Sequence, residues 1–229
     1  MKLLLIPGSG SGKSDWIPQT KYFADSEAVL LPGHPEGKPC TSIDDYMEWL
    51  HGYIQRQHYQ DVVLVGHSMG GAIAQLYGLK YGNEIKALVL IGSGARLRVL
   101  PARLEQIRGM LTDEVAWRKF LEEENSHIKP KVRRTIVEEG MQIGPTVALN
   151  DYLCCDKFDI MDRVQAIKLP TLLISGTADD RTPVKYTKYL ADKIAGATSV
   201  IIEGASHWVH LDKPQEVNQA IEKFLARLA

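Results

Sequence analysis

The sequence predicts an α/β fold: a mostly parallel sheet of about six strands flanked by helices, with a helical insertion ahead of the penultimate strand. Three observations carry this. Short apolar runs alternate with longer helical patterns along most of the chain. Most of these runs are near-continuous rather than alternating, as parallel strands covered on both faces require. One long stretch, residues 95–164, is helical in pattern and holds no convincing strand.

Taken in order, the strand candidates are Lys2–Ile6, Ala28–Leu31, Asp61–Val65, Ala87–Ile91, Thr171–Ser175 and Ser199–Ile202. The clearest helical patterns are Ser42–Gln57, Met69–Tyr81, Val184–Lys193 and Pro214–Leu228. Ser42 with Asp45 makes a capping-box-like start, with Asp in place of the usual Glu or Gln. Pro214 suits a first helical turn, where its missing N–H costs nothing. Strand-helix alternation of this kind implies right-handed crossovers between parallel strands. The insertion is broken at Pro101, Pro130 and Gly144-Pro145. Its charge clusters, such as Glu122–Glu124, read as solvated helix faces. Residues 1–94 and 165–229 are therefore expected to form the core, and 95–164 a helical cap. That cap is expected over the carboxyl ends of the strands, where open α/β sheets hold ligands.

With 229 residues the chain is long enough for a substantial core. Twenty-seven Lys and Arg balance 28 Asp and Glu, so no overall field gathers nucleic acid. Three cysteines, two of them adjacent, make no disulfide framework, which suits a reducing compartment. The apolar start ends at Pro7-Gly8, short of a signal peptide's core, and no run approaches a membrane span. A cytoplasmic location, with no membrane and no nucleic-acid partner, is the expectation.

The strongest chemical signal is Gly66-His67-Ser68-Met69-Gly70-Gly71, directly after one strand candidate and directly before a helix. This is G-x-S-x-G in a strand-turn-helix context. Small flanking residues let strand and helix approach, and the sharp turn presents a hydroxyl above the sheet edge. A serine hydroxyl is a weak nucleophile and needs a base within hydrogen-bond reach. His207, in Gly204-Ala205-Ser206-His207, follows the last strand. A base in turn needs an acid to fix its tautomer. Asp179, in Gly176-Thr177-Ala178-Asp179, follows the preceding strand, with Asp180 its immediate competitor. Ser68, Asp179, His207 is the chain order of the nucleophile-elbow hydrolases.

On these residues, together with Pro183 and Leu211-Asp212-Lys213-Pro214-Gln215-Glu216-Val217, the chain resembles the α/β-hydrolase superfamily. It is most similar to small bacterial carboxylesterases and to the lactonases, C–C hydrolases and haloperoxidase-like enzymes near them. The resemblance covers nearly the whole chain outside the insertion. It implies Asp179, the fourth residue of Gly-x-x-Asp, as the acid. It also implies an oxyanion hole, a pair of backbone N–H groups, at Ser9 and Met69. Here the chain departs from pattern, carrying Pro7-Gly8-Ser9 where the family has His-Gly-x. Serine at 68 argues against the dehalogenase branch, whose nucleophile is aspartate.

The expectation is a serine hydrolase that cleaves an ester of a small, largely apolar substrate through an acyl-enzyme, with no cofactor or metal. Trp16 and Trp208 are the candidate aromatic walls of its pocket. A lactonase, C–C hydrolase or menaquinone-pathway lyase would use the same triad, and a slow-turnover binding protein would keep the fold. The rival from another class is a P-loop nucleotide-binding protein, suggested by Gly8-Ser9-Gly10-Ser11-Gly12-Lys13-Ser14. The phosphate motif needs glycine five residues before Gly12, where Pro7 stands, and Pro18 interrupts the helix that should follow. His210 has no companion cluster of His, Cys or carboxylates and reads as a surface or packing histidine. His34 follows a strand end and is expected to rim the site without a chemical role, and Cys154-Cys155 read as small hydrophobes.

Overall fold

A computed structural model describes residues 1–228; residue 229, the last of the range assigned to the core, lies outside the described residues. The strands are β1 (Lys2–Ile6), β2 (Ser26–Ala28), β3 (Val62–His67), β4 (Ala87–Ile91), β5 (Thr171–Gly176) and β6 (Thr198–Ile202). They form one sheet in the order β2-β1-β3-β4-β5-β6, and every neighbouring pair is parallel. In register, Ile6 faces Gly66, His67 faces Ile91, and Gly176 faces Ile202. The strands thus end together along one edge, so the loops that follow Ile6, His67, Gly176 and Ile202 converge there.

The near-continuous apolar runs have a direct cause. Side chains alternate across a strand, and both faces of this sheet are covered. Leu4, Ile6, Leu64, Leu88, Leu90 and Leu173 join one core cluster, beneath α2 (Ile43–Gln57), α3 (Met69–Tyr81) and α7 (Val184–Lys193). Leu3, Leu5, Val63, Val65, Val89 and Leu172 join the other, with Val217, Ile221 and Phe224 of α9 (Pro214–Leu225). Two short helices, α1 (Ile17–Tyr22) and α8 (Val209–Asp212), close this second face. Buried Gln19 ties them together, donating to the His210 carbonyl at 3.0 Å and to Asn218 at 3.1 Å.

Three elements differ from expectation by more than a residue. The third strand runs to His67 rather than stopping at Val65. The second strand is Ser26–Ala28 rather than Ala28–Leu31. Its last ladder pair is Leu5 with Ala28, and the Val29 N–H still donates to the Leu5 carbonyl at 2.9 Å. β1 ends at Ile6, so residues beyond Val29 run past their only partner. The last helix ends at Leu225, three residues short of Leu228.

Between β4 and β5 the chain is helical: α4 (Pro101–Arg108), α5 (Glu114–Glu124) and α6 (Pro130–Lys157). Pro101 and Pro130 open α4 and α6, and Gly144 (φ 81°) kinks α6 ahead of Pro145. These helices share a small core of their own, in which Trp117, Phe120 and Leu121 of α5 meet Val137 and Ala148 of α6. Gly140 lets α6 come close, since a Cβ there would lie 2.9 Å from Leu121.

The Ser42 cap is formed: its hydroxyl accepts the Asp45 N–H at 3.0 Å. Ser42→Ala should therefore lower stability by about 1 kcal/mol in urea denaturation, and Ser42→Asp should recover most of it.

Candidate active site

Ser68 occupies the turn between β3 and α3 with φ 52° and ψ −113°, a conformation that costs a non-glycine residue roughly 1–3 kcal/mol. Its backbone is held from both sides. The Ser68 N–H donates to the Ile91 carbonyl at 2.9 Å. The Ser68 carbonyl accepts from Ser93 Oγ at 2.9 Å and from the Gly71 N–H at 3.0 Å. The flanking glycines are required by contact: a Cβ on Gly66 would lie 2.2 Å from the Gly70 carbonyl oxygen, and one on Gly70 would lie 2.2 Å from that of Ile6.

His207 and Asp179 meet at the same sheet edge. His207 Nδ1 lies 2.9 Å from Asp179 Oδ2, with both residues buried. Asp179 Oδ1 accepts the N–H groups of Arg181 at 2.9 Å and Thr182 at 2.8 Å, and Thr182 Oγ1 donates to Oδ2 at 2.7 Å. Burial alone would raise the Asp179 pKa. The hydrogen bond and charge of His207, with the Thr182 bonds, outweigh burial and hold the pKa down to about 2. Asp180 is exposed and stands outside this arrangement. The two loops are joined as a unit. Ala178 N–H donates to the Ala205 carbonyl at 3.0 Å, and a Cβ on Gly176 would lie 2.0 Å from that same oxygen.

The glycine-rich loop after β1 does bind anions, but they belong to the insertion. Glu139 of α6 accepts the N–H groups of Lys13 at 3.0 Å and Ser14 at 2.8 Å, and the Ser14 hydroxyl. Asp151, also on α6, accepts the Gly10 N–H at 2.9 Å, His34 Nε2 at 2.8 Å and the Tyr46 hydroxyl at 2.7 Å. The Gly10, Lys13 and Ser14 amides, which a nucleotide would draw on, are occupied by these carboxylates. The Ser9 and Met69 amides make no hydrogen bond among the described residues. Met69 is the first residue of α3, where the N–H has no helical partner.

Ser68, His207, Gly8 and Ser9 open onto one cavity of about 390 Å³. Trp208, Tyr186 and the strip Leu97, Val99, Leu100 give it apolar wall. Cys155 also lines it, with Sγ 3.3 Å from Ser9 Oγ. Burial pushes both cysteine thiols up, Cys154 to about 12.

Comparison with known proteins fits this geometry. The alpha/beta hydrolase family model matches residues 3–220. The chain belongs to the alpha/beta hydrolase family. Over 97% of its length it is 26% identical to the (E)-2-((N-methylformamido)methylene)succinate hydrolase of Acinetobacter baylyi, covering 89% of that protein. A thermophilic esterase of known structure is 33% identical, with a TM-score of 0.82 over all of this chain and 90% of the esterase. The enol-lactonase of Burkholderia xenovorans shares the fold at a TM-score of 0.86, with 20% identity over 98% of this chain and 91% of the lactonase.

Three residues of this alpha/beta hydrolase lie elsewhere than the sequence suggests. Trp16 is fully buried and forms no part of the cavity wall, because the segment after Gly12 turns into the second core cluster. His34 does not rim the site; it is buried on Asp151. His210 has the companions it lacks in sequence. It lies with Asp15 and His67 in a fully buried trio whose ligand-type atoms all fall within 4.8 Å of one another. His67 Nε2 bonds the His207 carbonyl at 3.0 Å, so the trio underlies the candidate base. Local sequence carries no signal for it, since Asp15 follows β1, His67 ends β3 and His210 lies in α8.

The two histidines are kept neutral, and Asp15 is neutral below about pH 7. Burial drives the His210 pKa down to about 3 and that of His67 well below its ordinary value, and raises Asp15 to about 7. Asp15 therefore keeps its proton in the folded protein over a range where the unfolded chain, at 3.8, has lost it. Its contribution is present at low pH and is lost as pH rises from about 4 to about 7, by at most about 1.4 kcal/mol per unit. Asp15→Asn should remove this dependence. Urea denaturation at a series of pH values should show the variant gaining on wild type across that window, and parallel curves would contradict the assignment.

Proposed function

We propose that the protein is a serine hydrolase that cleaves a carboxylic ester through an acyl-enzyme. The observation that carries the reading is His207 Nδ1 held on the Asp179 carboxylate at 2.9 Å, beside a strained serine elbow in the same cavity.

In this reading Asp179, ionised throughout the working range, keeps the His207 proton on Nδ1 and leaves Nε2 free as the base. His207 takes the Ser68 proton as Oγ attacks the ester carbonyl. The negative charge that develops on the carbonyl oxygen falls to the Ser9 and Met69 amides, at the positive end of α3. His207 returns the proton to the leaving alcohol, and the serine carries the acyl group. Water, deprotonated by the same histidine, releases the acid and restores the hydroxyl. No cofactor enters. Replacing the family's histidine by Pro7 leaves the oxyanion donors in place, because both are main-chain groups. The strip Leu97, Val99 and Leu100 suits an apolar acyl or alcohol chain.

Two measurements test this. Ser68→Ala should lower the hydrolysis of p-nitrophenyl esters by about 10⁴–10⁶-fold without loss of fold, by comparison with other triad enzymes. A fluorophosphonate should label Ser68 and no other serine; activity within tenfold of wild type, or label elsewhere, would sink the nucleophile. Asp179→Asn should cost about 10⁴-fold by the same comparison. Asp180→Asn should cost far less, and the reverse ranking would mean the acid is the neighbouring residue.

A further inference from the structure

The cavity wall carries a charge excess that ester hydrolysis does not use. Arg98, Arg103, Arg181 and Lys185 all line it, against a single lining carboxylate, Asp180. The acids behind the wall are too few to balance the arginines. Arg103 and Arg181 share Glu124, the first at 3.1 Å. Arg96 and Arg98 share Asp159, at 2.7 and 3.6 Å. Each group of two guanidinium ions and one carboxylate keeps one net positive charge, and beside the second group Asp156 adds a further carboxylate, on the Val99 N–H at 3.0 Å. Lys185, in the first turn of α7, is exposed and has no acidic partner among the described residues. Asp180 lies on the same wall, and its charge acts on Arg181.

Part of this charge is structural. Arg181 stacks over Trp208 at 4.3 Å and, through Glu124, ties the Asp179 loop to α5. A tie of one acid to one base needs only one arginine, however, and neither Arg98, whose guanidinium reaches the Asp156 carbonyl and Asp159, nor Lys185 serves it. Unbalanced cations inside a concave wall strengthen one another's field, because low-dielectric walls focus it. They adjoin an apolar strip that is left open, with Leu100 75% exposed.

We propose that the substrate is an ester whose apolar chain also bears a carboxylate, seated against Arg98, Arg103 and Lys185 while the scissile carbonyl lies at Ser68. This rests on the serine-hydrolase reading for the reaction, but not for the binding. Arg96, Arg98, Arg103, Arg181 and Lys185 face Glu124, Asp156, Asp159 and Asp180, an excess of one positive charge that one carboxylate matches. Guanidinium ions bind a carboxylate in a two-pronged geometry.

The test separates binding from turnover. Calorimetry on the Ser68→Ala protein compares monomethyl suberate, an anion, with dimethyl suberate, its neutral counterpart. The anion should bind about tenfold tighter or better at low ionic strength, as expected for net charge in a partly buried cavity. The advantage should shrink towards 1 M salt, where the screening length falls to about 3 Å. The double variant Arg98→Gln/Lys185→Gln should remove most of it. Lys188→Gln, on the same helix but outside the cavity wall, should keep it. Equal affinities, no measurable binding of the anion at millimolar concentration, or an advantage that survives the double variant would each overturn the inference. Failure of the hydrolase reading shows differently: wild type would hydrolyse neither ester and take no fluorophosphonate on Ser68, while the binding difference persisted.

Discussion

Everything at the site depends on the close approach of β3, α3 and the end of β1 around Ser68. A residue at φ 52° and ψ −113° persists only where its surroundings leave no alternative. Here the strand next door accepts its N–H, a serine from the loop after that strand donates to its carbonyl, and glycines at 66 and 70 leave no room for a side chain. The turn aims the serine off the sheet edge, and it leaves the Met69 amide without a helical acceptor. Strain, hydroxyl placement and a free amide thus share one geometric cause.

The second constraint is the attachment of the insertion. Glu139 and Asp151 sit on either side of the α6 kink and hold the loop after β1 by its amides. Glycine-rich turns and helix starts gather backbone N–H groups and attract anions. In this protein the anions are side chains of the same chain. The contact shapes the loop that carries Ser9 and places the helices over the cavity, so one interaction serves both the oxyanion loop and the substrate wall. It also links the wall charges to the fold, because α5, brought in with α6, supplies Glu124 to Arg103 and Arg181.

Beneath the candidate triad lies a layer of buried polar groups that is neutral. His67 and His210 are kept uncharged by burial, and so is Asp15 below about pH 7. A neutral layer avoids placing a fixed charge under His207, whose own charge changes during the proposed reaction. The one ionised carboxylate in contact with that histidine is Asp179, and its charge is held by donors on both oxygens.

Local pattern by itself determined much of this protein. Burial on both faces of a sheet writes continuous apolar runs, and four of the six strand candidates lie within a residue of the observed strands, the third falling two residues short at its end. The second strand was misplaced because an edge strand ends where its single partner ends, which its own residues do not encode. Ser68, Asp179 and His207 were legible because each stands in a loop directly after a strand, and parallel register brings such loops to one edge. The rest was decided in three dimensions. Glu139 meets Ser14, Asp151 meets His34, and Asp15, His67 and His210 meet one another across long sequence separations. The charge balance of the cavity likewise depends on which arginines share which acid. Such pairings follow from how separate elements pack, and no periodicity within a single element carries that information.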